Sequence, residues 1–108
     1  MYDMQDGLNH VHPQEFLTVM KEKDIVIIDI REPYELEYLP FDGPKNIPLN
    51  TLLNNYSDIL KKDQEYYILC HHGQRSYFVT EVLHNKGYNV INVLGGIDLV
   101  NRFDTANK

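Results

Sequence analysis

The chain has 108 residues, ten basic against sixteen acidic side chains for a formal charge of -6, 43% hydrophobic and 24% charged residues, and one cysteine. This composition fits one folded domain over 1–108 and excludes a disordered chain, a fibrous repeat and a surface built to neutralise phosphate backbones, so nucleic acid is not an expected partner. No apolar run reaches the ~20 residues of a membrane span, and residues 1–6 lack a basic start followed by an apolar stretch, so the expectation is a cytoplasmic protein without membrane association.

In chain order, residues 12–21 place Pro13 at a first helical position, with Phe16, Leu17 and Met20 at helical spacing. Residues 24–29 form a continuous β-branched run, as in a parallel strand covered on both faces. Pro33 opens a brief helix over 33–38, whose acidic run Glu32, Glu35 and Glu37 reads as a solvated face. Residues 39–44 read as loop, and 46–47 as a minimal strand. Residues 49–62 carry helical apolar positions but also two asparagines and a serine, which predicts a broken helix. A second strand over 66–69 runs into Cys70, with Tyr66 and Tyr67 expected to pack against helices. The spacing then predicts a helix over 76–86, with Phe78, Val79, Val82 and Leu83 on one stripe and Gly87 at its end. A third strand over 89–94, a Gly95-Gly96 turn and a short helix over 97–102 complete the chain. Strands alternating with helices imply an α/β fold, a mainly parallel central sheet flanked by helices on both faces, with ligands at the carboxyl ends of strands.

The segment Cys70-His71-His72-Gly73-Gln74-Arg75-Ser76 occupies such an end. Inward-turned amides of a tight loop and the first amides of the next helix would form an anion-binding bowl with Cys70 at its base. That field, with the charge of Arg75 nearby, favours thiolate over thiol and makes Cys70 a nucleophile. Gly73 permits the backbone of such a loop, and the Ser76 hydroxyl can donate to sulfur or cap the helix. The bowl could take a phosphate or arsenate oxyanion, or a sulfur species such as thiosulfate or a persulfide. Four residues separate Cys70 from Arg75, whereas resemblance to phosphatases built on cysteine and arginine would ask for five. The shorter loop suits a terminal sulfur atom. Asp29 and Arg31 alternate on a strand end and point to one side, where an ion pair or turn cap supporting the next loop is expected, with direct substrate contact as the alternative. His71 and His72, with His10 and His12, raise a metal reading, but adjacent residues close poorly on one ion, so rim lining is preferred and no metal is assigned. The Gly95-Gly96 loop is expected to neighbour the bowl.

Several motifs in order resemble the rhodanese family, the sulfurtransferases: Ile27-Ile28-Asp29-Ile30-Arg31-Glu32-Pro33-Tyr34-Glu35, then Asn46-Ile47-Pro48-Leu49, the Cys70 to Ser76 loop, Gly87-Tyr88 and Gly95-Gly96-Ile97. The resemblance runs from about His10 to Arg102 and implies a single rhodanese-like domain. It implies that Cys70 accepts a sulfane sulfur as a persulfide, that the loop from His71 through His72, Gly73, Gln74 and Arg75 to Ser76 holds it, and that Asp29 and Arg31 shape the site. No metal or organic cofactor is implied. The donor would be thiosulfate or a protein persulfide, and the acceptor cyanide, a thiol or another protein. Two departures stand out: the segment 38–45 lacks the family's usual histidine and is longer, and the last helix lacks its usual tryptophan. A non-catalytic anion- or partner-binding module is the alternative reading, and a small phosphatase or arsenate reductase is disfavoured by loop length and the absence of a resolving cysteine.

Overall fold

The protein is described by a computed structural model covering residues 5–106. Its elements are β1 (Asn9–Val11), α1 (Pro13–Glu22), β2 (Val26–Asp29), α2 (Pro33–Tyr38), β3 (Lys45–Asn46), α3 (Leu49–Ile59), β4 (Glu65–Leu69), α4 (Gln74–Asn85), β5 (Asn89–Val93) and α5 (Gly96–Ala106). The five strands form one sheet in the order β1-β5-β4-β2-β3, and every pairing is parallel. The α/β expectation therefore holds.

Strand periodicity divides the interior into two cores. Ile28, Tyr66, Ile68 and Val90 face one side, where Leu52 of α3 and Val79 and Leu83 of α4 cover them. Ile27, Tyr67, Leu69 and Ile91 face the other, where Phe16 of α1 and Ile97 and Val100 of α5 cover them. Each such side chain, taken fully out of water, contributes about 1.5–3 kcal/mol before entropy is counted. Tyr66 and Tyr67 are both buried as expected; the Tyr66 hydroxyl accepts the Lys61 amide at 2.8 Å, and the Tyr67 ring lies 5.8 Å from Phe16.

Three details depart from the sequence reading. β1 was not expected as a strand, because only three residues pair and one of them is a histidine; its register on β5 runs from Asn9 opposite Ile91 to Val11 opposite Val93. The inner stripe of α4 is Ser76, Val79, Thr80 and Leu83, and Phe78 instead stands 51% exposed. The stripe therefore keeps helical spacing, but two hydroxyl residues occupy it in place of Phe78 and Val82. Finally, α5 extends to Ala106, one turn beyond the expected end. The broken character of α3 is present at Asn55, whose backbone leaves the helical region (φ -137°, ψ 19°).

Candidate active site

β4 is the third strand of the five, so its carboxyl end lies at mid-sheet, and Cys70 is the residue after it. Cys70 is 1% exposed. Gly73, at the amino cap of α4, takes φ +94°, a left-handed conformation that turns the chain from loop to helix. The turn brings the Gly73 amide to Cys70 Sγ at 3.1 Å and the Ser76 amide to 3.4 Å, with Ser76 Oγ also 3.4 Å away. Two backbone donors and a hydroxyl thus converge on one sulfur at a helix start.

The Gly95-Gly96 turn locks this loop from the far side. The Ile97 and Asp98 amides donate to the Cys70 and His71 carbonyls at 2.9 and 3.0 Å. A Cβ on Gly96 would stand 2.5 Å from both of those carbonyl oxygens, and one on Gly73 would stand 2.8 Å from the Gly95 nitrogen. The expected neighbourhood of the two loops is therefore a close backbone contact that excludes side chains.

Arg75 is held differently. Its Nη1 and Nη2 donate to the two Glu35 carboxylate oxygens at 2.8 Å each, a bidentate pair spanning α4 and α2. Arg75 holds the Glu35 carboxyl down at about 2 from its ordinary 4.5, assisted by the Glu32 amide. Glu35 is therefore not part of a merely solvated face, as its acidic neighbours suggested, and no local sequence signal marks its pairing with Arg75 40 positions away.

Asp29 and Arg31 are fully buried and bind each other, with Arg31 Nη2 to Asp29 Oδ2 at 2.9 Å and Arg31 Nε 3.1 Å from both carboxylate oxygens. Arg31 Nη1 then donates to the Leu39 carbonyl at 2.8 Å and the Glu35 carbonyl at 3.3 Å. This ties down the carboxyl end of α2 and with it the Glu35 side that meets Arg75. The His71 and His72 rings stack at 3.8 Å, His72 reaches Asp98 at 4.0 Å, and Gln74 is exposed. His12 caps α1 by accepting the Gln14 amide at 3.3 Å, and His10 is buried on β1. Among the described residues no group of three or more His, Cys, Asp or Glu side chains is placed to hold a metal ion.

Two cavities flank the loop. One, of about 540 Å³, is lined by His72, Gly73, Gln74, Tyr77, Phe78 and Asn92 among others. The second, of about 330 Å³, is lined by Arg31, Tyr34, Glu35, Tyr38, Leu39 and His71. Tyr34 and Tyr38 at its edge are 70% and 88% exposed. Tyr38 begins the unusual segment 38–45, whereas Tyr34 lies within the 27–35 motif.

A rhodanese-like domain family description matches residues 12–102. The chain belongs to that family. It is 33% identical over 76 residues to a sulfurtransferase of Allochromatium vinosum, covering 69% of this chain and 70% of that protein. It is 32% identical over 80 residues to a putative sulfur carrier protein of Bacillus subtilis, covering 73% of this chain but only 43% of that protein. Against a rhodanese-like domain protein of Staphylococcus aureus the TM-score is 0.78 at 30% identity, over 86% of this chain and 91% of the other. Among the described residues no helix is long and apolar enough to cross a membrane.

Proposed function

We propose that the protein is a sulfurtransferase that carries sulfane sulfur on Cys70. The observation that carries this reading is the convergence of the Gly73 and Ser76 amides on Cys70 Sγ, which suits a sulfur that must bear negative charge before and after it is loaded. In the first half-reaction the Cys70 thiolate attacks the outer sulfur of thiosulfate. The sulfur–sulfur bond of the donor breaks, its electron pair leaves with sulfite, and Cys70 holds a persulfide anion. With a persulfide donor the leaving group is the donor's thiolate. In the second half-reaction an acceptor nucleophile takes the terminal sulfur and the electron pair returns to Cys70; cyanide becomes thiocyanate, and a thiolate becomes a persulfide. The chain has no second cysteine, so the acceptor is external and the kinetics are ping-pong. The loop residues His71 to Ser76 bind the donor, with Asp29 and Arg31 as support. The chain acts as one domain without metal or cofactor, and a reducing cytoplasm suits a lone thiol that must be regenerated each cycle.

Intact-protein mass spectrometry of the reduced protein and Cys70→Ala, after incubation with thiosulfate or a low-molecular-weight persulfide, tests the reading. The expected result is a gain of one sulfur atom that is absent from the variant and removed by cyanide with release of thiocyanate. Equal loading of Cys70→Ala, or no loading from either donor, overturns it and leaves a binding module.

A further inference from the structure

From Ser76 in the Cys70 loop a chain of buried polar groups runs on to Asn92 and His10, which the proposed transfer does not use. Ser76 Oγ is 3.4 Å from Cys70 Sγ and 2.6 Å from Asn92 Oδ1 on β5. Asn92 Nδ2 is 3.1 Å from His10 Nδ1 on β1, and His10 Nε2 is 2.9 Å from Asp6 Oδ2. Ser76 and His10 are 0% exposed and Asn92 is 1% exposed, whereas the Asp6 side chain is 21% exposed. Three buried polar side chains contributed by α4, β5 and β1 therefore link the reacting sulfur to a carboxylate at the surface. Burying such groups is costly unless each is bonded. Satisfying them locally would not require the path to end on sulfur.

The donors in this arrangement all point one way. His10 Nε2–H donates to Asp6, Asn92 Nδ2–H donates to His10 Nδ1, and Ser76 O–H donates to Asn92 Oδ1. Ser76 therefore turns a lone pair toward Cys70, which suits an S–H donor and opposes a thiolate. A second arrangement fits the same atoms. With a proton on His10 Nδ1, a half-turn of the Asn92 amide lets its oxygen accept from His10 and its nitrogen donate to Ser76 Oγ. The Ser76 hydroxyl then loses Asn92 as its acceptor and turns to sulfur at 3.4 Å in competition with the Gly73 carbonyl at 3.2 Å, and the charge on a thiolate favours sulfur. The thiol loses its proton to water and His10 gains one from water, so the overall proton count of the pair is unchanged.

We propose that Cys70 and His10 titrate as a linked pair through Ser76 and Asn92, with His10 and Asn92 acting as positioning residues that set the direction of the Ser76 hydroxyl. The groups facing His10 are the Asp6 carboxylate ahead of β1, the Tyr77 ring of α4 at 5.3 Å, and Asn92 of β5. The Tyr77 hydroxyl and the Leu8 amide hold the Asp6 carboxyl below the usual carboxylate range, so it is an anion wherever His10 could become a cation. The groups facing Cys70 are the Gly73 and Ser76 amides and the charge of Arg75, itself bound to Glu35.

The test is the rate of Cys70 alkylation by iodoacetamide as a function of pH, which reads thiolate without needing a sulfur donor. The protein should show a two-step profile. His10→Gln, which cannot titrate, should show one step, with an alkylation rate roughly fivefold to tenfold lower on the acid limb and an unchanged rate at the alkaline limit. A merely structural role would lower stability or shift both limbs together. A folded His10→Gln whose profile superposes on that of the parent protein overturns the proposal. Should His10→Gln fail to fold, nitrogen NMR of His10 in the unsubstituted protein decides. Its signals should show a second inflection where Cys70 titrates, lost once Cys70 is carbamidomethylated, and absence of that inflection overturns the proposal. The inference rests on Cys70 being the reacting sulfur, but the two readings fail separately. A protein that loads no sulfur yet alkylates in two steps refutes the transfer and keeps the linkage.

Discussion

The Cys70 loop and the α2 corner are both built around charge, and they treat it in opposite ways. At Cys70 the stabilising groups are neutral backbone amides, fixed by a glycine turn and by the two carbonyl contacts from α5. At the α2 corner, Asp29 meets Arg31 and Glu35 meets Arg75, so two acids and two bases are spent on each other. The difference lies in which donors remain open: the amides face the sulfur, whereas both guanidinium groups face carboxylates. Arg75, the one full cation of the Cys70 to Ser76 loop, has its guanidinium fork already occupied by a carboxylate. Under the proposed function the amides supply most of the attraction for sulfur and Arg75 a smaller share, and amides do so without the rotamer entropy and desolvation that a free arginine would cost.

The contrast can be broken most severely at its supporting layer. Asp29→Ala leaves Arg31 charged and fully buried without its partner, and a loss of about 3–5 kcal/mol is expected in urea unfolding. A loss below about 1 kcal/mol would mean that water or another carboxylate reaches Arg31.

Gly73→Ala attacks the loop itself. The left-handed backbone costs a side chain about 1–2 kcal/mol, and the added Cβ meets the Gly95 nitrogen. Sulfur loading should fall more than tenfold and the melting temperature should fall by more than the left-handed backbone alone would cost, because the Gly95 backbone must also shift, as measured by loading rate per folded protein and thermal melt on the same sample. Retained loading would mean that the amides need not converge on Cys70 Sγ.

The smallest effect sharpens the comparison. Glu35→Gln removes one side of the Arg75 pair; Arg75 is 40% exposed, so the stability loss should be about 0.5–1 kcal/mol. Freed from its carboxylate, Arg75 should lower the KM for dianionic thiosulfate roughly threefold to tenfold and change that for a singly charged persulfide donor less. The pair also has a pH signature. Glu35 is depressed in the folded state from 4.5 to about 2, so its contribution is fully present above 4.5 and is lost as pH falls through about 2. Urea midpoints of the parent protein and Glu35→Gln should therefore differ at pH 6 and converge on acidification below about pH 2.

Much of this was legible in the chain. The β-branched run ending at Asp29 and the Tyr66 to Leu69 run are strands because continuous apolar residues at strand length bury on both faces, and both lie within one residue or two of their expected limits. The Cys70 loop was legible because glycine and a helix start at fixed offsets from a cysteine constrain the local backbone. Asn55 interrupts α3 where side-chain competition with the backbone predicts it. Apolar character alone puts Phe78 on the inner stripe of α4, whereas the actual stripe includes Ser76 and Thr80. Ser76 is tolerated inside because Asn92 accepts its hydroxyl.

What the sequence determined by itself is therefore local: the order of the helices and of the strands after β1, the turn at Gly73, and the placement of Asp29 and Arg31 on one side of a strand end, which the structure then resolves as an ion pair. Partnerships across long separations were decided only in three dimensions. Arg75 and Glu35 lie 40 positions apart, and Asn92 and His10 lie 82 apart. Neither acid, amide nor histidine carries in its neighbours any mark of its distant partner, because a polar side chain is compatible with solvent until the sheet closes over it. Once β1 adds to the edge of β5 and α4 docks on the sheet, water is excluded and each buried donor and acceptor must take the partner that the packing supplies.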